Sequence, residues 1–283
     1  MHLITNKDYE DHNSIIMCKS WIYLAKRYNP DAKISIFYYR YVSKIRQFSS
    51  RYRNISYIKL HFPTDLYQIS GGHTHHPTQE LQLALWRQLE QLRITKYIYV
   101  DADAFILSSL NDWWSTIDTK PFIAIAETRS KSGSLRLNAG VYSYSNKTSF
   151  LTYKRLLEQY RLDGNSIKVE AGAQGLIDAY FRNQHYSFTH PAIGHEYNTL
   201  AKYCQVKRID DKEIVVFSGR FPITKKIFRI LQLKRRDFCE KWLWWHKPVR
   251  VKILHAFGGP GFRFWELPEC RILWNYCASK TNK

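Results

Sequence analysis

The residues of this sequence that could do chemistry gather at the ends of two apolar runs. Lys96-Tyr97-Ile98-Tyr99-Val100 has the β-branched and aromatic content of a buried strand, and it runs directly into Asp101-Ala102-Asp103. In extended chain, residues two apart project to the same side, so Asp101 and Asp103 are expected to face one point. Two carboxylates at one point repel and hold their proton affinity up unless a cation lies between them. A divalent ion removes that conflict, and oxygen ligands suit Mg2+ or Mn2+. The alternative is a pair of loop acids capping the next element. The second run, Val251–Leu254, leads into His255-Ala256-Phe257-Gly258-Gly259-Pro260-Gly261-Phe262-Arg263-Phe264-Trp265. A neutral imidazole at a strand end could complete a metal's coordination and tilt the preference toward Mn2+; a satisfied structural histidine is the alternative. The glycines permit close backbone approach and expose N–H groups, and Arg263 could clamp a phosphate.

Such residues need a scaffold, and the pattern along the chain is α/β: short apolar runs alternate with amphipathic stretches. His2–Thr5, Ile34–Tyr39, Ser56–Leu60, Lys96–Val100, Phe122–Ala126 and Gly140–Tyr144 read as strands, with Ile214–Phe217 and Val251–His255 extended. Ser14–Tyr28, Gln79–Leu92, Thr148–Leu162 and Gln174–Phe181 read as helices, the first closed by Asn29-Pro30. In open sheets of this kind ligands bind beyond the carboxyl ends of strands, which is where the acidic pair stands. A long polar loop, His61–Thr78, carries His73, His75 and His76; it reads as a cover over an acceptor site or, less simply, as a second metal cluster. One domain spanning 1–283 is expected.

Composition narrows the classes. At 45% hydrophobic and 24% charged, the chain is that of a folded globular protein. Its 43 Lys+Arg against 24 Asp+Glu leave a net charge of +19, so an anionic partner is expected. Eleven basic residues and two acids fall between Arg220 and Lys252, mixed with Phe221, Phe228, Phe238, Trp242, Trp244 and Trp245. That mixture suits an anionic membrane surface, suits nucleic acid, or is a solvated basic face. Cysteines 18, 204, 239, 270 and 277 are scattered without a CxxC, which excludes a zinc ribbon and a disulfide framework and points to a reducing compartment. The first residues lack the pattern of a signal peptide and no run is long enough for a membrane span. A cytoplasmic protein, peripheral at the inner face of a membrane, is the expected location. No G-x-G-x-x-G follows the first strand, which argues against a dinucleotide enzyme.

In series, the sequence resembles the family 8 retaining glycosyltransferases, in particular the glycogenin-like and lipopolysaccharide galactosyltransferase-like branches. Leu3-Ile4-Thr5-Asn6-Lys7-Asp8-Tyr9 is similar to the first-strand segment that receives uracil and ribose. Tyr97–Leu107 looks like the strand with the DAD metal motif. Leu137-Asn138-Ala139-Gly140-Val141 is similar to F-N-S-G-V, Glu170–Leu176 to G-G-D-Q-G-I, and Val251–Trp265 to the closing H-x-x-G-x-x-K-P-W. The blocks keep the family's order from residue 3 to 265.

The resemblance implies a GT-A fold, a Rossmann-like α/β domain with a mostly parallel central sheet flanked by helices. It implies transfer of a hexose from a UDP-sugar to a hydroxyl of a glycan, lipid-linked sugar or protein, with Mn2+ (or Mg2+) and retention at the anomeric carbon. Asp101, Asp103 and His255 would ligate the metal. Ile4, Thr5, Asn6 and Tyr9 would meet the nucleoside, Arg87 would supply a basic donor contact, and Ala102, Gly140, Gly258 and Arg263 would line the donor. Asn138 and Gln174 would address the sugar. Ala173 stands where the family has Asp, and Glu170 is the candidate to replace that carboxylate. The closing motif carries Arg263 for Lys in a shifted register, and Ala139 replaces Ser. Front-face attack needs no enzyme nucleophile, and a homo-oligomer is compatible with the reading. The rival is a basic nucleic-acid- or membrane-surface-binding protein without transferase activity, although acids at a strand end repel phosphate.

Overall fold

The computed structural model describes residues 1–7, 11–39, 42–61, 77–129, 135–145, 152–163, 172–201, 204–218, 249–256 and 263–281. In chain order these form β1 (His2–Lys7), α1 (His12–Tyr28), β2 (Lys33–Tyr38), α2 (Ser43–Ser49), β3 (Ile55–Lys59), α3 (Pro77–Gln91), β4 (Lys96–Val100) and β5 (Ala104–Ile106). There follow α4 (Asn111–Thr116), β6 (Phe122–Arg129), β7 (Leu135–Ser145), α5 (Tyr153–Asp163), α6 (Gly172–Asn183) and a 3-10 turn, His195–Tyr197. The chain continues through β8 (Thr199–Leu200), β9 (Cys204–Ile209), β10 (Ile214–Ser218), β11 (Ile253–His255) and α7 (Pro268–Thr281).

A six-stranded sheet in the order β3-β2-β1-β4-β7-β6 is the frame. β1 pairs in parallel with both β2 and β4, and β2 with β3, while β7 runs antiparallel to β4 and β6. This is the expected mostly parallel α/β sheet. Strand order reverses between the parallel neighbours β1 and β4, so their carboxyl ends form the topological switch point. A second, three-stranded sheet has the order β5-β11-β8, and β9 and β10 form a hairpin.

The alternation along β4 explains why it sits centrally. Tyr97 and Tyr99 enter one core with Leu85, Trp86, Tyr142, Tyr144 and Phe181, beneath α3, α5 and α6. Ile98 and Val100 enter the opposite core with Trp21, Ile34, Ile36, Trp113 and Val141. A strand buried on both faces must be apolar along its buried length, as this one is from Tyr97 to Val100. The tyrosine hydroxyls and indole N–H groups that this brings inside need partners. Gln82 Nε2 donates to the Tyr142 hydroxyl at 3.0 Å and Trp113 Nε1 to Ser143 Oγ at 2.9 Å.

Several elements differ from the sequence reading. β7 begins at Leu135 rather than Gly140, and α5 begins at Tyr153, with residues 146–151 outside the described set. The reading places nothing at α2, β5, α4, β8, β9 or α7. The last is the largest omission: Cys270, Leu273, Trp274 and Cys277 form an apolar stripe that packs beside α1 and β9 around Phe105, Leu254 and Phe264. Cys18, Cys204, Cys270 and Cys277 are buried and form no disulfide among the described residues. The loop with His73, His75 and His76, and the basic segment from 220 to 248, lie outside the described residues. No helix among the described residues is long and apolar enough to cross a membrane.

One stability consequence arises at β1. Burial, with Lys33 beside it, lowers the pKa of His2 to about 4, and its Nε2 lies 2.8 Å from Ser35 Oγ. The folded chain therefore keeps His2 neutral where the unfolded chain, with an ordinary histidine near 6.5, takes up a proton. Stability contributed by the neutral ring is present above that value and falls as pH drops from 6.5 toward 4. His2→Gln is expected to flatten the pH dependence of the urea midpoint across that window. An unchanged slope between pH 6.5 and 4 would assign the acid sensitivity elsewhere.

Candidate functional site

Asp101 stands at the end of β4, on the edge of the switch-point crevice. Its amide N–H donates to Gly140 O at 2.7 Å, carrying the β4–β7 ladder one residue beyond the strand. The chain then turns instead of continuing extended: Ala104 N–H closes back on Asp101 O at 2.9 Å. The same-side projection expected of an extended Asp-Ala-Asp is therefore not what aligns the two carboxylates. A tight turn aligns them, because β5 must reverse toward the second sheet.

Register in that second sheet completes the group. β11 runs antiparallel to β5, with His255 opposite Ala104, and Ala256 N–H donates to Asp103 O at 2.9 Å. Asp103 thus sits one residue before the partner of His255, and the two side chains meet. His255 Nε2 lies 3.4 Å from Asp103 Oδ1 and 3.7 Å from Asp101 Oδ2. One ligand atom from each of the three residues falls within a 4.8 Å span.

The surroundings shape this cluster for a cation. The Tyr99 hydroxyl donates to Asp101 Oδ1 at 2.6 Å while its ring stacks on Tyr142 at 4.8 Å, which leaves Oδ2 as the oxygen toward His255. Burial pushes the Tyr142 hydroxyl well above the ordinary tyrosine range, with the Asp101 charge adding to it, so that group stays a neutral prop. The His255 side chain is 9% exposed, whereas those of Asp101 and Asp103 keep 33% and 19%. The imidazole is fixed inside and the carboxylates keep a face toward solvent. Gly140 closes the floor: a β-carbon there would come within 2.7 Å of Asp101 Oδ2 and 2.9 Å of His255 Nε2. The space a side chain would fill is left to the cluster. Two carboxylates and one imidazole, with a glycine floor, fit a divalent ion of the Mn2+ or Mg2+ kind.

The other expected site residues fall as follows. Asn138 lies under the cluster, 6% exposed, its Oδ1 accepting from Gly140 N–H and Asn198 Nδ2, each at 2.9 Å. Gln174 lies in the first turn of α6, with Oε1 3.5 Å from Ala139 N, so it attaches to the same stretch of β7. Ala102 occupies the turn between the acids. Ile4 and Thr5 are fully buried in β1 beside β4, and no hydrogen-bond partner of Thr5 Oγ1 occurs among the described residues. Asn6 is in β1, opposite Phe37 of β2. Arg87 sits on α3 with its guanidinium 5.9 Å from the Tyr153 ring of α5. Arg263 lies 5.8 Å from the Trp265 ring, and its N–H donates to Glu266. Tyr9, Glu170 and Gly258 lie outside the described residues.

Two participants were not read from the sequence. The sequence marks Tyr99 only as a strand residue, and its position two before Asp101 on one strand face is the signal that places its hydroxyl beside that carboxylate. Asn198, 3% exposed and just before β8, holds its Oδ1 3.0 Å from His255 Nδ1. Nothing local marks it, because its partners lie 57 and 60 residues away in the chain.

No protein-family model matches the sequence, and no curated protein does. Solved structures match the fold. An active-site mutant of LgtC superposes with a TM-score of 0.62 at 14% identity, covering 100% of this chain and 97% of that one. The galactosyltransferase LgtC with donor and acceptor sugar analogues gives 0.60 at 14% identity over the same shares. The bifunctional glycosyltransferase WbbM gives 0.58 at 14%, covering 99% of this chain and 50% of WbbM. The central sheet with its flanking helices is thus the GT-A-like architecture of glycosyltransferases.

Proposed function

We propose that this protein is a family 8 glycosyltransferase, moving a hexose from a UDP-sugar to a hydroxyl acceptor with retention and with Mn2+ as cofactor. The observation that carries the reading is the convergence of Asp101, Asp103 and His255 at the switch point of a glycosyltransferase fold. Mn2+ bound by those three residues would neutralise the charge that develops on the departing diphosphate. The chain's own groups do the rest. Tyr99 aims one oxygen of Asp101 inward, and the buried His255 ring presents Nε2 to both acids. Gln174, attached to the β7 stretch that floors the cluster, orients the donor sugar.

Retention proceeds on one face of the sugar. The anomeric C–O bond to UDP breaks as the acceptor oxygen bonds to the same side, and the acceptor's proton passes to the departing phosphate oxygen. That route asks no covalent step of a side chain. LgtC, of similar fold, was crystallised with donor and acceptor sugar analogues, which supports a sugar donor and acceptor here as well.

The test is UDP release from UDP-Glc, UDP-Gal, UDP-GlcNAc and UDP-GlcA, with Mn2+ and with EDTA, beside direct titration of UDP. One donor hydrolysed or transferred only with Mn2+ is the expected result. Loss of both turnover and Mn2+-dependent UDP binding would overturn the proposal and leave the fold as the sole likeness.

A further inference from the structure

We propose that Asn198 is a positioning residue: through a buried relay ending on a backbone amide, it sets the tautomer of His255 and turns the Nε2 lone pair toward the two carboxylates. The inference deepens the metal reading above and rests on it for its consequence, although the tautomer itself does not.

The relay can be oriented atom by atom from one fixed end. Gly140 N–H can only donate, so the Asn138 side-chain atom 2.9 Å from it is the oxygen. The same oxygen lies 2.9 Å from the Asn198 amide, which must present its NH2 there. The remaining Asn198 atom is then the carbonyl oxygen, 3.0 Å from His255 Nδ1. An oxygen facing Nδ1 requires that Nδ1 carry the proton. In the neutral ring Nε2 is left as an acceptor, and it is the nitrogen 3.4 Å and 3.7 Å from the carboxylate oxygens. A reversed amide at Asn198 would set oxygen against oxygen at Asn138, whose own oxygen is held by Gly140 N–H. All three side chains are more than nine-tenths buried, so water is not at hand to repair such a mismatch.

The arrangement has a chemical meaning. A ring with Nε2–H would simply donate to Asp103 and close the cluster as an ordinary hydrogen bond. A ring with its lone pair at Nε2 makes three electron-rich groups converge, an arrangement that a cation relieves. The hydrogen bond at Nδ1 also raises the basicity of Nε2, the usual effect of a support behind a metal-bound histidine. Gly140 serves twice, as the origin of the relay and as the floor that a β-carbon would obstruct.

The experiment uses the full chain with 15N-labelled histidine, read by two-bond 1H–15N correlation at mildly alkaline pH without metal. His255, assigned by its loss in His255→Gln, is expected to show a protonated Nδ1 and a bare Nε2. Asn198→Leu removes the acceptor and is expected to shift the ring to Nε2–H, whereas Asn198→Asp keeps an oxygen at Nδ1, and with it the Nδ1 proton, while losing stability because it sets oxygen against Asn138 Oδ1. A packing role alone would move both variants alike. Mn2+ titrations by calorimetry are expected to weaken about 10–100-fold in Asn198→Leu and far less in Asn198→Asp. An Nε2–H ring or a doubly protonated ring in the wild type, or an unchanged tautomer in Asn198→Leu, overturns the proposal. The predicted tautomer together with no Mn2+ binding by the wild type would sustain the relay and overturn the metal reading alone.

Discussion

Asp103→Ala is expected to abolish Mn2+-dependent transfer while leaving the protein folded. The fold tolerates the change because the structural work of Asp103 is done by its backbone: its carbonyl accepts from Ala256 N–H, and alanine keeps that bond. The side chain is 19% exposed, so its removal opens no sealed cavity. Without metal, the variant also loses a negative charge close to Asp101, so its unfolding midpoint should match or slightly exceed the parent's. Function has no such tolerance. Supporting residues behind metal ligands already cost 10–100-fold, and loss of a ligand should cost at least about 100-fold in Mn2+ affinity and in turnover. Calorimetry, UDP release and urea unfolding on one preparation make the measurement. Retained turnover in a folded variant would remove Asp103 from the metal site.

Gly140→Ala is the second large effect, and it separates the floor of the site from its ligands. The added methyl meets the His255 ring and lies 2.7 Å from Asp101 Oδ2, while Gly140 is held by ladder and side-chain bonds on both sides. Neither the strand nor the imidazole can yield without breaking a hydrogen bond. Overpacking of this kind costs about 1–3 kcal/mol, and the displaced ring should reduce Mn2+ affinity by a further order of magnitude or more. The diagnostic variant is the double mutant Gly140→Ala/His255→Ala. If the clash with the ring is the cause, removing the ring returns part of the lost stability, and the two effects fail to add. Strict additivity would place the damage in the backbone of β7 instead. Unchanged stability and Mn2+ affinity in Gly140→Ala itself would show that the cradle has more room than the geometry states.

Much of the scaffold was legible because it rests on local pattern. β4 reads as a doubly buried strand from five residues, and α1 from its apolar spacing and Asn29-Pro30 stop. Elements shorter than a period or two leave no such trace. β5, β8 and α2 contribute three, two and seven residues, and each is held by its neighbours rather than by its own preferences. α7 is a different case, since its stripe from Cys270 to Cys277 was present in the sequence and was not read.

The nature of the site also divides along this line. Residue type and order along the chain, Asp101 and Asp103 after one apolar strand and His255 after another, were enough to mark the three groups that converge, because carboxylate and imidazole chemistry belongs to the side chain wherever it lies. Which groups meet, and at what angle, belongs to the tertiary structure. A turn rather than an extended strand aligns the acids, the β5–β11 register brings His255 against Asp103, and Asn198 reaches the ring from a remote segment. Each of these depends on hydrogen-bond pairing between stretches far apart in sequence. Such pairing is selected by the burial and satisfaction of the whole chain together, so no local pattern encodes it.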